Sequence, residues 1–270
     1  MTPVKASEGT RYVYDSGWRL ETRRLLANQA IWDPGTIQHF ETLGVGEGWH
    51  CLEVGGGCGS IARWLADRVG PGGRVVAGDL VTERLDWLSE HGVEVRRHDV
   101  RSDDLPAGTF DLVHARMLLQ HMADREAVVR RLAKALRPGG VLYVEDTDPS
   151  PVFRGTVRND ALAAVKSAGY QIMAQAGFDD HGGQGDITAL TRAGFTDIVA
   201  DGRVRVIRGG SEEAENYLLW LEYLGPKMTA AGLVSGEQLA DARALLLDPD
   251  YHWLSQVMVS VIGRKQDPGR

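Results

Sequence analysis

Short apolar runs alternate with helix-period patterns from residue 50 to residue 148, and this alternation limits the fold more than any single motif does. His50–Val54 reads as a strand that runs into the glycine cluster at residues 55–59. A helix follows with Ile61, Trp64, Leu65 and Val69 on one face, closed by Gly70-Pro71-Gly72-Gly73. Residues 74–78 read as a second strand ending at Asp79, residues 83–91 as a helix, residues 93–98 as a third strand ending at Asp99, and residues 110–115 as a fourth. Val128, Leu132, Ala135 and Leu136 mark the next helix, with Arg137-Pro138-Gly139-Gly140 as a basic last turn and stop, before a fifth strand at residues 141–144. Strands separated by helices form a parallel sheet with right-handed crossovers and helices on both faces. The expected fold class is α/β, a doubly wound, mostly parallel sheet.

After Asp148 the rhythm changes. Helical patterns at residues 159–176, 186–193, 211–224 and 237–247 surround one or two strands at 195–207, and a last strand at 253–262 returns the chain to the sheet. The expected division is a helical N-terminal cover at residues 1–44, a core at 45–210 and 250–264, and a helical lid insertion at 211–249. Ligands of open α/β sheets bind outside the carboxyl ends of the strands, so such a lid covers the binding crevice.

Composition removes several classes. A chain of 270 residues with 43% hydrophobic and 25% charged residues is neither disordered nor a disulfide scaffold. Two cysteines, Cys51 and Cys58, are too few for a disulfide framework and lack a histidine pair at metal-ligand spacing, so no metal site is expected. No run of about 18 apolar residues occurs, and the stretch MTPVKASEGTRYVYDS lacks the apolar centre of a signal peptide, so a cytoplasmic protein without a membrane partner is expected. The net charge of -7 argues against nonspecific nucleic-acid binding.

Three features fall at strand ends. Glu53 precedes glycines at 55, 57 and 59, where the backbone turns sharply and no β-carbon keeps a ligand from the peptide groups. Asp79 lies where a carboxylate accepts hydrogen bonds from both ribose hydroxyls, and Asp99 with Val100 lies where an adenine is held. A dinucleotide fingerprint wants glycine where Ser60 stands, and the acid at Glu53 repels phosphate but attracts an ammonium. The ligand reads as a nucleoside bearing an amino acid.

With these residues in place, the chain resembles the class I S-adenosylmethionine-dependent methyltransferases, in their small-molecule, natural-product branch. LEVGGGCG, VVAGDL, RHDV, FDLVHARMLLQHM and LAKALRPGGVLYVED are similar to the family's motifs, in order, over residues 45–148, and TALTRAGFTDI to its segment before the sixth strand. The resemblance implies a seven-stranded sheet, S-adenosyl-L-methionine as cofactor, S-adenosyl-L-homocysteine as product, and methylation of oxygen, nitrogen or carbon on a small, largely apolar or aromatic acceptor. It places Glu53, Gly55 and Gly57 at the methionine and ribose side, Asp79 with Leu80 at the ribose, Asp99 and Val100 at the adenine, and Arg116 near the amino-acid end. Tyr14, Trp18 and Arg24 are expected to close over the cofactor, Arg24 pairing its carboxylate. His121 and Glu145 are the expected catalytic side chains.

Bland alternatives stand beside these roles. Asp79 and Glu145 are also in capping positions, His121 also reads as an ordinary helix-start histidine, and His181 reads as a solvated loop residue. A cyclase or rearrangement enzyme using the same cofactor pocket is the alternative function, and a homodimer stays open. Tyr223 and Lys227 have the spacing of a short-chain dehydrogenase pair, but Gly225-Pro226 is expected to break the helix between them.

Overall fold

The computed structural model describes residues 12–267 and Gly269. Five strands, β1 (His50–Val54), β2 (Arg74–Asp79), β3 (Val93–Arg97), β4 (Phe110–Arg116) and β5 (Leu136–Asp148), run parallel. With β6 (Phe195–Arg203) and β9 (Val257–Lys265) they form a seven-stranded sheet in the order β3-β2-β1-β4-β5-β9-β6, in which β9 is antiparallel to both neighbours. A separate pair, β7 (Val206–Arg208) and β8 (His252–Leu254), lies outside it. No described helix is long and apolar enough to cross a membrane.

Strand residues alternate between two cores because successive side chains of a strand point to opposite faces. Cys51, Val75, Leu112 and Tyr143 pack with Phe40 of α1 (Glu21–Leu43) and Leu65 of α2 (Ser60–Val69). Leu52, Val113, Leu142 and Val144 pack with Leu132 of α3 (Arg125–Ala135) and Leu190 of α5 (Gly182–Arg192). A third core unites α4 (Asp160–Gln175), α6 (Glu212–Ala230) and α7 (Gly236–Leu247) with Ile31 and Trp32 of α1 and with Trp253. The helical layer thus draws on residues 160–175 as well as on 211–249.

Several sequence expectations are corrected. Residues 83–91 hold only a 3-10 segment, Asp86–His91. Residues 137–140 do not stop a helix but already belong to β5, which pairs Leu136 with Phe110 before a register shift. The helix expected at 186 starts at Gly182, because glycines 182, 183 and 185 serve close packing rather than a loop: a β-carbon at Gly182 would sit 2.9 Å from that of Asp146, and one at Gly183 would collide with Val259. α6 continues through Pro226, carried by Leu224 and Met228, both wholly buried on either side of it, so Tyr223 and Lys227 do share a helical face. Their partner is structural: the Tyr223 hydroxyl donates to the Val13 carbonyl at 2.9 Å, and the Lys227 ammonium lies 3.8 Å over the Tyr223 ring. The expected last strand divides at Ser255-Gln256, where Arg205 N–H donates to Ser255 Oγ at 2.9 Å and bends the chain out of the sheet.

A buried polar seam crosses three strands on the α1 face. Glu53 Oε2 lies 2.6 Å from His114 Nδ1, and Glu145 Oε2 lies 3.3 Å from His114 Nε2. Glu145 also accepts from Thr36 of α1, from Tyr143 Oη at 2.6 Å, from Ser260 Oγ of β9 at 2.8 Å and from Arg203 of β6. Burial alone would pull the His114 pKa down, but the flanking carboxylates of Glu53 and Glu145 outweigh it and raise it to about 9. Burial pushes the Glu145 carboxyl up, yet His114, Arg116 and Arg203 hold it well below the usual carboxylate range. His114 and Glu145 are therefore both charged at neutral pH.

A histidine raised from 6.5 to about 9 adds stability that is full below pH 6.5 and lost as pH climbs through about 9. His114→Gln should cost about 3–5 kcal/mol in urea unfolding near neutral pH, because it leaves the buried Glu53 without its ion-pair partner and takes one of the cations from Glu145. It should also flatten the decline across that window; a variant with the wild-type pH profile would contradict the assignment. Gly183→Ala should cost about 1–3 kcal/mol through overpacking against Val259. Gly236→Ala, where a β-carbon meets nothing within 4 Å, should leave the urea midpoint nearly unchanged.

Candidate active site

A cavity of about 850 Å³ lies at the carboxyl ends of β1 to β4, between the sheet and the helical layer. Its sheet wall is polar. Gly55 and Gly57 carry φ angles of +71° and +59°, which favour glycine, and a β-carbon on Gly57 would project into space whose nearest atom, in Leu25, is 3.9 Å away. Asp79 pins this loop, since its Oδ2 accepts from Gly57 N–H at 3.1 Å and its Oδ1 from Val81 N–H at 3.0 Å. Each carboxylate oxygen keeps a lone pair for a further donor.

Asp99 is held differently. Its two oxygens accept from Arg101 Nε and Nη2 at 3.1 and 3.0 Å, and this pairing holds its carboxyl below the usual range. Val100 is buried beneath the cavity floor, and Leu80 lines the mouth, half exposed. Glu53 reaches the cavity from the end of the seam, with His114 behind it.

The opposite wall is aromatic. Tyr14, Phe153, Tyr170, Phe178, Trp220 and Tyr223 line it, together with Met173. His121 ends the 3-10 turn Leu119–His121 and sits between Tyr12, at 4.9 Å edge-on, and Phe178, at 5.5 Å. Burial, reinforced by Arg24 and Arg125, pushes its pKa down to about 3, so the imidazole is neutral at any ordinary pH. Met117 and Phe153 adopt positive φ angles of 52° and 62°, and both line the cavity, as backbone strain at a functional site often does.

Most sequence-chosen residues meet at this cavity: Tyr14, Arg24, Glu53, Gly55, Gly57, Asp79, Leu80, Asp99, Val100, Arg116 and His121 all line it. Two expectations need correction, at Glu145 and Trp18, and two of the expected arginines have partners within the protein. Glu145 is wholly buried and does not line the cavity, because α1 and Arg203 cover it and the seam consumes its oxygens. Trp18 is outside the lining and packs edge-on against Tyr223 at 4.9 Å. Arg24 is already matched, donating to both oxygens of Glu21 at 2.8 and 2.7 Å while its guanidinium rests 3.8 Å over the Tyr14 ring. Arg116 is likewise engaged, by Asp33 at 2.6 Å and Thr36 at 2.9 Å. His181 is exposed against Asp180, away from the cavity.

Other lining residues escaped the sequence reading. Asn28 donates to Met117 Sδ at 3.0 Å, and Gln120 accepts from both the backbone N–H and the hydroxyl of Thr147 at 2.8 Å. Behind Gln120, Asp146 and Asp186 form a buried carboxyl pair beside Arg125, and burial raises the pKa of Asp146 to about 7. Asn216 and Gln256 lie on the far wall. A polar residue on an otherwise apolar face of 211–224 was the available signal for Asn216; nothing local marks Gln256.

Comparison with known proteins agrees with this geometry. Residues 52–144 match the family described as "Methyltransferase domain". Methyltransferase GfsG of Streptomyces halstedii is 36% identical over 142 residues, 48% of this chain and 48% of that protein. Nocamycin O-methyltransferase of Saccharothrix syringae is 36% identical over 165 residues, 54% of this chain and 59% of that protein. The matches thus span about half the length of these curated relatives. Haemonchus contortus phosphoethanolamine N-methyltransferase 2, solved with phosphomonomethylethanolamine and S-adenosylhomocysteine, superposes with a TM-score of 0.58 at 18% identity, covering 93% of this chain and 58% of that one. The [4+2]-cyclase SpnF superposes at 0.56 and 18% identity, covering 97% and 88%; both likenesses speak to the fold. Motif order, sheet order and the family match thus agree on residues 52–144 as a methyltransferase domain.

Proposed function

We propose that the chain is an S-adenosylmethionine-dependent methyltransferase acting on a small, largely apolar or aromatic, natural-product-like acceptor. The observation that carries this reading is the two-sided cavity, with carboxylates and bare backbone on its sheet wall and aromatic rings on its helical wall. The residues present fit the cofactor by their donor set. Asp79 has acceptor capacity for vicinal hydroxyls, Asp99 and Val100 suit an adenine edge, and Glu53 with the loop at Gly55 and Gly57 suits the cationic amino-acid end. When bound, S-adenosylmethionine supplies a methyl group already activated by its sulfonium.

The chain's own residues then have modest chemical duties. They hold an acceptor nucleophile in line and exclude water, and such orientation supplies roughly 7–11 kcal/mol in well-aligned systems. His121 is the proposed acceptor of a hydrogen bond from an acceptor hydroxyl or amine, a role supported by its neutral ring lining the cavity between two aromatic neighbours. Arg24 and Tyr14 brace the covering segment. The likeness to nocamycin O-methyltransferase of Saccharothrix syringae supports the natural-product class of acceptor.

Asp79→Ala should weaken S-adenosylmethionine binding about 10- to 100-fold by calorimetry, through lost charge-assisted hydrogen bonds; unchanged affinity removes that assignment. His121→Phe should keep cofactor affinity yet lower turnover about 100-fold. Because burial with Arg24 and Arg125 holds the ring near 3, the wild-type rate profile should show no histidine inflection between pH 5 and 8. S-adenosylhomocysteine should appear in equal amount with product. Product formed without it would favour the rearrangement reading.

A further inference from the structure

The helical wall of the cavity holds two buried amides whose hydrogen-bonding capacity the protein leaves open. Asn216 and Gln256 are 8% and 5% exposed, and both line the cavity. Asn216 stands at i, with Trp220 at i+4 and Tyr223 at i+7, on one face of α6, so the helix that packs its other residues into the core turns a carboxamide inward. Among the described residues that carboxamide has no hydrogen-bond partner. Gln256 sits at the bend between β8 and β9, where Ser255 Oγ donates to the Gln256 carbonyl at 2.6 Å. Its Oε1 accepts from the buried Tyr217 hydroxyl at 3.0 Å, which orients the amide and leaves its NH₂ without a partner among the described residues.

Buried polar groups are normally matched, and a pair left open toward a cavity indicates a ligand that matches them. The rest of this wall decides the kind of ligand. Thr147, Val152, Phe153, Tyr170, Met173 and Phe178 contribute no charged group, and His121 beside Phe178 is held neutral by burial. A carboxylate, phosphate or ammonium placed there would lose its hydration with no countercharge, whereas a neutral oxygen loses little and gains the amides.

We infer that Asn216 and Gln256 are specificity-determining residues that read a neutral carbonyl or hydroxyl oxygen on an uncharged, largely aromatic or apolar acceptor. This rests on the methyl-transfer reading above, and deepens it by naming the polar feature the acceptor must carry. The amide NH₂ groups donate to the ligand oxygen, and the Asn216 carbonyl accepts where that oxygen is a hydroxyl. Tyr217 positions Gln256 without touching the acceptor oxygen.

The test uses three matched probes, 2-acetylnaphthalene, 2-ethylnaphthalene and 2-naphthoate, titrated calorimetrically into the full chain saturated with S-adenosylhomocysteine. The ketone should bind about tenfold tighter than the ethyl compound, and the anion more weakly than the ketone. Asn216→Leu combined with Gln256→Leu should erase that preference while leaving ethylnaphthalene affinity within about twofold, as expected when only hydrogen bonds are removed. Should the double leucine variant fail to fold, Asn216→Ala and Gln256→Met, tested singly, carry the same comparison. Equal binding of ketone and hydrocarbon by the wild type, tighter binding of the anion, no binding of any probe, or an undiminished preference in the variants overturns the proposal. A wild-type chain that does not bind S-adenosylhomocysteine counts against the methyltransferase reading instead. The probe titrations are then repeated with the chain alone, where the same ketone preference is the expected result.

Discussion

The buried polar seam from Glu53 through His114 to Glu145 is the interaction on which the rest of the structure turns. It runs across three adjacent parallel strands, and through Thr36, Ser260 and Arg203 it fastens α1, β9 and β6 to the same point. Buried charges are costly unless matched, and here each has its opposite within hydrogen-bond reach. The consequence for the cavity is direct. Glu53 is fixed at the mouth of the glycine loop by an imidazolium behind it, so a carboxylate stands where the first crossover begins. Glu145, at the other end, is spent on holding the sheet together.

The cavity joins two kinds of chemistry because it joins two layers of the fold. Parallel strands bring their carboxyl ends to one edge, so Glu53, Asp79 and Asp99 converge although they lie far apart in sequence. The helical layer, closed by its own core of large side chains, faces that edge with aromatic rings. A methyl group carried as a sulfonium asks little of a protein beyond alignment and dryness, and this division supplies a polar seat on one side and a dry wall on the other. The neutral state of His121 belongs to the same design, since burial beside cationic Arg24 and Arg125 disfavours a second positive charge near a cationic cofactor.

Much of this was legible because it is written locally. The first three strands end at Glu53-Val54, at Asp79 and near Asp99, where an apolar run meets glycine or an acid, and those ends line the cavity. What escaped depends on contacts between distant segments. The glycines at 182, 183 and 185 read as a loop because their reason is the close approach of α5 to β5, to β9 and to Arg125 of α3. Pro226 read as a breaker because the burial that carries α6 across it comes from α4 and α7. The division of the last strand at Ser255 follows from β8 pairing with β7, which no local signal announces. Glu145 reads as a strand-end acid like Glu53 and Asp79, but β5 runs on to Asp148, and α1 and Arg203 cover the side chain.

The claim at the centre is that the carboxylate of Glu53 selects a cationic sulfur nucleoside over a diphosphate-bearing cofactor. Titration of wild type and Glu53→Gln with S-adenosylmethionine and with NADPH measures this most directly. The account predicts that the wild type binds S-adenosylmethionine and not NADPH, and that the substitution weakens S-adenosylmethionine about tenfold. Binding of NADPH in preference, or an affinity for S-adenosylmethionine indifferent to residue 53, would contradict it.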